Sequence, residues 1–347
     1  MTPGLLFAGN FLSCHGRKRG VSEELADRLE SRGWSVIRTS SKLSRPLRLI
    51  DMVSTVYFSS PRFRLAHVEV YSGPAFIWAE AVSAALRWRK RPYILTLHGG
   101  ALPQFAERWP GRVRRLIRSA SAVTAPSDFL ARQLSSFGRA IVLPNAIDST
   151  RYPRRTPIAT NSPKLVWLRS FHQIYNPQMA VHVLALLRKQ FPDAELLMIG
   201  PDDGDGSLEN TRELARELGV TDYVRFIGPV SKSEVPNWLG RANVFLNTTN
   251  VDNAPVSVVE AMACGLAVVS TNVGGVPDLV EDGKSGLLVR AGDASAMAAQ
   301  VCNVLQNASL ARNLYVCAQR TAARHDWQRI LPRWEELFRS VGAAIRQ

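Results

Sequence analysis

The chain has 347 residues, 46% hydrophobic and 21% charged, which excludes a disordered or fibrous protein and exceeds one ordinary core, so two domains are expected. Its formal charge of +14 is concentrated in Met1–Ile147, where 22 Lys and Arg stand against nine Asp and Glu. That bias implies an anionic partner, either an acidic glycan or an anionic lipid surface, and without a basic motif carrying stacking aromatics it argues against nucleic acid.

Cys14, Cys264, Cys302 and Cys317 show neither C-x-x-C spacing nor nearby histidine pairs, so neither a zinc site nor a disulfide framework is indicated. The N-terminus lacks a charged n-region and a cleavage site. The most apolar segment, Ala75–Leu86, is broken by Glu80 and too short to span a bilayer. A cytoplasmic protein is expected, with weak peripheral contact at the inner face of an anionic membrane as the furthest it would go toward lipid.

Leu5–Ala8 reads as a first strand, residues 9–20 as a polar glycine-bearing loop, and Val21–Arg32 as a helix with Leu25, Ala26 and Leu29 on one face. This opening is Rossmann-like, but it lacks G-x-G-x-x-G and no acid follows Val36–Ser40, which argues against a dinucleotide; no cofactor is expected. Strands are expected at Val68–Tyr71 and Tyr93–Leu97. The second ends at His98-Gly99-Gly100, placing His98 at a strand's carboxyl end, where open parallel sheets bind ligands. Ile77–Trp88 reads as a helix running into Arg87, Arg89, Lys90 and Arg91. Phe105–Ser119 sets Trp109, Val113, Leu116 and Ile117 among five arginines, and reads either as a helix lying on an anionic bilayer or as a helix with a solvated basic face. Val123–Pro126, a helix capped at Ser127-Asp128, and Ile141–Leu143 complete a first α/β domain.

Residues 159–163 are a polar, proline-bearing linker. Beyond it, Leu165–Leu168 is a strand leading to Arg169, and helices at Val181–Gln190, Leu208–Leu218 and Ser233–Leu239 alternate with strands at Glu195–Ile199, Val224–Ile227 and Val244–Asn247. Such βα alternation implies a parallel sheet. Ser257-Val258-Val259-Glu260 fits a capping box that starts a helix at Ser257, Gly265 suits its αL end, Leu266–Ser270 has buried-strand composition, and Asn272–Gly275 turns the chain. Helices at Ala294–Gln306, Leu310–Ala323 with Ser309 as N-cap, and Trp327–Arg346 finish it.

The loop Asp252–Ser257 lies after a parallel strand and before a helix N-terminus, whose unpaired N–H groups and partial positive charge suit a diphosphate. Asp252 and Glu260 would not help bind a bare anion, whereas sugar hydroxyls would explain both. A nucleotide sugar combines the two chemistries. The alternative is that Glu260 only completes the capping box and Asp252 only shapes a turn.

The span Asn250–Gly283 resembles the donor-site signature of family 4 of the retaining GT-B glycosyltransferases. Asp252 stands for the first of two glutamates, Glu260-Ala261-Met262-Ala263-Cys264-Gly265 matches the helix, Ala267 replaces the usual proline, and Gly274-Gly275 matches the turn. Pro144-Asn145-Ala146-Ile147-Asp148 resembles the family's interdomain linker. The resemblance implies an α/β GT-B fold of two Rossmann-like parallel-sheet domains facing a cleft. Residues 1–147 would take the acceptor, 148–163 form the linker, 164–325 take the nucleotide sugar, and 326–347 form a helix crossing back.

It further implies a catalytic set of Asp252, His98 and Arg169. Donor binding would fall to Glu260 on the ribose, Arg169 and Tyr175 near the diphosphate, Gly228 and Val230 at the base, and Ala254, Pro255, Val256, Ser257 and Val258 through their backbone. Gly16, Arg17 and Gly20 would form the cleft loop of the first domain. Leu168 replaces the family's glycine before the arginine, and Tyr175-Asn176 stands where its lysine is usual. Arg169 could instead pair with an acid such as Asp202 or Asp252 and hold loops together. The implied activity is metal-independent, retaining transfer from a nucleotide diphosphate sugar, UDP favoured over GDP, to a glycan or lipid-linked acceptor in cell-surface polysaccharide synthesis. A catalytically silent binding or regulatory protein, or an epimerase or phosphorylase on the same fold, is the alternative.

Overall fold

The computed structural model describes residues 4–16, 20–153 and 162–343, and divides into two compact units, Met1–Ala146 with Gln328–Gln347, and Ile147–Trp327. Each is built on a six-stranded, all-parallel sheet. In the first unit the strands are β1 (Leu5–Ala8), β2 (Val36–Thr39), β3 (Leu65–Val70), β4 (Tyr93–Leu97), β5 (Ala122–Ala125) and β6 (Ile141–Val142), in the order β2-β1-β3-β4-β5-β6. In the second they are β7 (Lys164–Leu168), β8 (Glu195–Ile199), β9 (Val224–Gly228), β10 (Val244–Asn247), β11 (Ala267–Thr271) and β12 (Leu287–Val289), in the order β12-β11-β10-β7-β8-β9.

Covered on both faces, parallel strands read as near-continuous apolar runs, as Leu5–Ala8 and Val244–Leu246 do. Alternation sorts the second sheet's residues. Trp167, Leu196, Met198, Leu246 and Val269 pack on one face against the helices Pro177–Leu187 and Ala294–Gln306, while Val166, Leu197, Phe245 and Val268 pack on the other against Val256–Cys264. In the first unit, the helix Trp327–Ala343 lays Trp334 and Phe338 by Phe7 and His67, and Trp34 donates to Glu335 at 2.9 Å.

Several boundaries differ from expectation for local reasons. Phe105–Ser119 is two helices, Leu102–Arg108 and Pro110–Arg118, broken at Trp109 because Pro110 restricts the residue before it and starts a new first turn. Val113, Leu116 and Ile117 of the second helix are buried in the core, so that face cannot also enter a bilayer. The helix expected at Leu310 begins at Ala308, and its cap is Asn307, which accepts from the Leu310 N–H at 3.0 Å, not Ser309. A 15-residue helix, Arg45–Ser59, has no counterpart in the sequence analysis. No helix among the described residues is long and apolar enough to cross a membrane.

Candidate active site

The second unit brings two opposite charges together where β7 and β10 end. Arg169 follows β7 and forms an ion pair with Asp252, which lies in the loop after β10; both side chains are largely buried. The guanidinium lies over the Tyr175 ring, 4.7 Å from its centroid. Burial lowers the Arg169 pKa, opposed by Tyr175 and then Glu260. The pairing weighed as an alternative for Arg169 is thus present, with Asp252 and not Asp202 as its partner.

Two glycines hold that pair. A Cβ on Gly200 would collide with the Arg169 carbonyl, and one on Gly274, which has φ +53°, would collide with the Asp252 carbonyl. Gly275 N–H donates to the same Asp252 carbonyl at 3.1 Å, and Asp252 Oδ1 accepts from Asn253 N–H at 2.8 Å. The Tyr175 carbonyl accepts from Thr248 Oγ1 at 2.8 Å, tying that loop to the end of β10. Asn176 adopts αL backbone and caps the next helix through Met179 N–H, which makes it a structural residue.

The capping box does not form. The Val256–Cys264 helix has Pro255 as N-cap, which offers no N–H for a carboxylate to accept from, and Ser257 is the helix's second residue, already in helical backbone. Pro255 likewise cannot donate to a diphosphate, contrary to the expectation that it would. The Val256 and Ser257 N–H groups, in the helix's first turn, have no intrahelical acceptor. Ser257 Oγ is buried without a hydrogen-bond partner, a costly arrangement unless something else fills its site. Glu260, 3% exposed, instead takes Tyr152 OH at 2.8 Å and Lys232 Nζ at 2.9 Å, both on Oε1, so its role as a cap is excluded. Lys232 and Tyr152 were not legible as site residues, because only the fold brings the loop after β9 and the start of the linker onto this helix. Gly228 ends β9 with φ +79°, and Val230 packs on the apolar face behind the helix. Ala254 lies in the loop between Asp252 and Pro255.

His98, Gly16 and Gly20 belong to the first unit. Gly16 ends a short turn in αL backbone, and Gly20 caps the Val21–Ser31 helix, donating its N–H to Glu23 at 2.9 Å. Arg17 lies outside the described residues. His98 follows β4, its Nε2 3.5 Å from the buried Glu69 Oε1, and its ring lies against Tyr71 with centroids 5.0 Å apart and 17° between planes. Burial lowers the His98 pKa, opposed by Glu69. Among the described residues, no group of three or more His, Cys, Asp or Glu is arranged to hold a metal ion.

Sheet order and the strand-end ion pair define an α/β protein of two Rossmann-like units with a candidate ligand site in the second, and comparison with known proteins gives its class. The profile described as "Glycosyl transferases group 1" matches residues 148–320 and "Glycosyltransferase Family 4" matches residues 35–151. The chain belongs to the group 1 and family 4 glycosyltransferases, and it is a transferase. It is 27% identical over 357 aligned positions to a protein of Mycolicibacterium smegmatis named GDP-mannose-dependent alpha-(1-6)-phosphatidylinositol monomannoside mannosyltransferase, covering 94% of this chain and 88% of that one. Sucrose-phosphate synthase from Thermosynechococcus elongatus superposes with a TM-score of 0.81 at 20% identity, over 99% of this chain and 100% of the other. Anabaena HepE in complex with UDP-glucose gives 0.77 at 20% identity, over 97% and 100%. The fold is GT-B.

Proposed function

We propose that this enzyme moves a sugar from a nucleotide diphosphate sugar, UDP favoured over GDP, to a hydroxyl of a glycan or lipid-linked acceptor in cell-surface polysaccharide synthesis, with retention at the anomeric carbon. The observation that carries the reading is the Val256–Cys264 helix terminus, where Ser257 Oγ is buried and unpartnered, Glu260 follows on the same helix, and Asp252, the ion-pair partner of Arg169, lies in the loop before it. In the reaction, the bond from the anomeric carbon to the diphosphate oxygen breaks, a bond to the acceptor oxygen forms, and the acceptor hydroxyl's proton passes to the leaving diphosphate. The leaving diphosphate gathers negative charge, and Arg169 with the Val256 and Ser257 N–H groups stabilises it there. Glu260 holds ribose hydroxyls, Asp252 and His98 serve the transferred sugar, and the first unit takes the acceptor. No metal or other cofactor takes part.

A HepE complex that contains UDP-glucose and a relative named for GDP-mannose and a phosphatidylinositol monomannoside support both halves of this reading. The test is product analysis with a panel of UDP- and GDP-sugars, in excess chelator, on glycan and lipid-linked acceptors. Transfer with an unchanged anomeric configuration and full activity in chelator is expected. Donor binding without turnover across the panel would sink it.

Weak attachment to an anionic lipid surface is part of the same reading. Leu47, Ile50 and Phe58 of the Arg45–Ser59 helix and Trp88 are exposed, and Arg45, Arg62, Arg87 and Lys90 are exposed around them. Apolar insertion and about 1 kcal/mol for each basic residue near the surface would add. Phe58→Ser should lower recovery on anionic vesicles in flotation; equal recovery of the wild type on anionic and neutral vesicles would refute it.

A further inference from the structure

Glu69 lies at the end of β3, and the register that pairs it with Thr96 of β4 sets His98 beside it. Its carboxylate is fixed from the other side. Oε1 accepts from Ser22 Oγ at 2.5 Å and Oε2 from Asn10 N–H at 3.1 Å, and a Cβ on Gly9 would collide with Oε2. Tyr71 is stacked on His98, and its pKa is raised well above its ordinary value, first by burial and then by the Glu69 carboxylate. His98 Nε2 is buried with no full hydrogen bond, and the nearest carboxylate oxygen is 3.5 Å away. An imidazole nitrogen facing a carboxylate at that distance is favoured as N–H over lone pair, because two electron-rich atoms repel, and the proton on one ring nitrogen sets the role of the other.

We propose that Glu69 is a positioning residue for His98, fixing the imidazole in its neutral Nε2–H tautomer and so making Nδ1 the acceptor for a substrate hydroxyl. This deepens the reading of His98 as a site residue and rests on it. Ser22, Asn10 and Gly9 hold the carboxylate in place, and Tyr71 holds the ring's plane. The opposing possibility is that Glu69 does no more than staple the loop after β1 to β3 through Ser22 and Asn10. Glu69→Gln separates the two, since it keeps the shape and removes the charge that selects the tautomer; Glu69→Asp, which keeps the charge, is the rescue.

Two readouts decide it on the full chain, each with its melting temperature. In ¹⁵N-histidine NMR at neutral pH, His98 of the wild type should carry its proton on Nε2. Glu69→Gln should shift it to a mixture or to Nδ1, and Glu69→Asp should restore it. For whichever nucleotide sugar the donor panel shows to be consumed, kcat should fall tenfold or more in Glu69→Gln while donor KM stays within twofold. An Nε2–H signal and kcat unchanged in a folded Glu69→Gln protein would overturn the proposal. His98→Ala tells the failures apart: loss of kcat there with none in Glu69→Gln defeats Glu69 as a positioning residue, and no loss in His98→Ala defeats the reading of His98.

Discussion

Arg169 is the residue whose removal separates a diphosphate-binding site from a loop clamp. With Arg169→Ala, the Asp252 carboxylate, whose side chain is only 11% exposed, loses its partner. Removing one member of a buried pair costs about 3–5 kcal/mol because the other charge stays behind. For a unit of this size that lowers Tm by roughly 6–20 °C. Early melting alone therefore decides nothing. Asp252→Asn removes the orphaned charge, so the double variant Arg169→Ala/Asp252→Asn should regain most of the lost Tm. Diphosphate affinity should not return with it, since a charged hydrogen bond contributes about 1.5–3 kcal/mol, or roughly 10- to 150-fold. Calorimetry with UDP and with uridine measures this. The double variant should bind UDP at least tenfold more weakly than Asp252→Asn alone and uridine equally well, and Arg169→Ala should cut turnover by about 10²–10³, as loss of a charge-stabilising donor does. UDP affinity and turnover that survive in the stabilised double variant and in folded Arg169→Ala, respectively, would refute the assignment and leave Arg169 a clamp.

Tyr175→Phe keeps the ring under the guanidinium, so turnover should fall tenfold or less, about 1.4 kcal/mol, whereas Tyr175→Ala should lose more; equal kinetics in the two would show that the ring does not hold Arg169. Glu260→Gln loses the charge-assisted bonds expected to ribose hydroxyls, so donor affinity should drop at least tenfold in the folded variant, and unaltered donor titration would exclude that contact. His67, buried between Thr96 and the terminal helix, has its pKa lowered to about 3, first by burial and then by His98. The folded form stays neutral while the unfolded form takes a proton below about 6.5, so stability falls as pH drops through that value, by about 2 kcal/mol at pH 5. His67→Gln should flatten the acid limb of a denaturant-midpoint profile between pH 6.5 and 4; an unchanged limb would place the sensitivity elsewhere.

Period and punctuation made most of this architecture legible. Apolar runs of four or five residues such as Glu195–Ile199 and Val244–Asn247 became strands of those bounds, and Ser127 caps its helix by accepting from Leu130 at 3.1 Å. The helix Arg45–Ser59 hid because its pattern is blurred: Leu47, Ile50 and Phe58 are exposed while Arg48 is buried. The position of the loop from Asp252 to the helix, after a strand and before a helix N-terminus, was legible, but the first turn was misread, since Ser257 imitates a cap and the cap is Pro255, two residues earlier. Glu69 and Lys232 could not be found from sequence, because their significance lies in contacts that strand register and loop placement create, with His98 and Glu260 respectively. A carboxylate or lysine in isolation carries no such signal.

Gly200 and Gly274 bear on how the Arg169 and Asp252 pair of this chain is mounted. Each sets its neighbour's main chain against a carbonyl that no other residue type would admit, so the backbone beneath both members of the Arg169 and Asp252 pair is pinned from two separate loops. With those anchor points fixed, the gap between cation and carboxylate becomes a matter of side-chain length. Aspartate at 252 in place of glutamate then acts as a shorter rod on an unmoved mount, changing by one methylene how far the acceptor oxygens reach. A change of side-chain length at 252 alters that reach while the main chain stays where the two glycines set it.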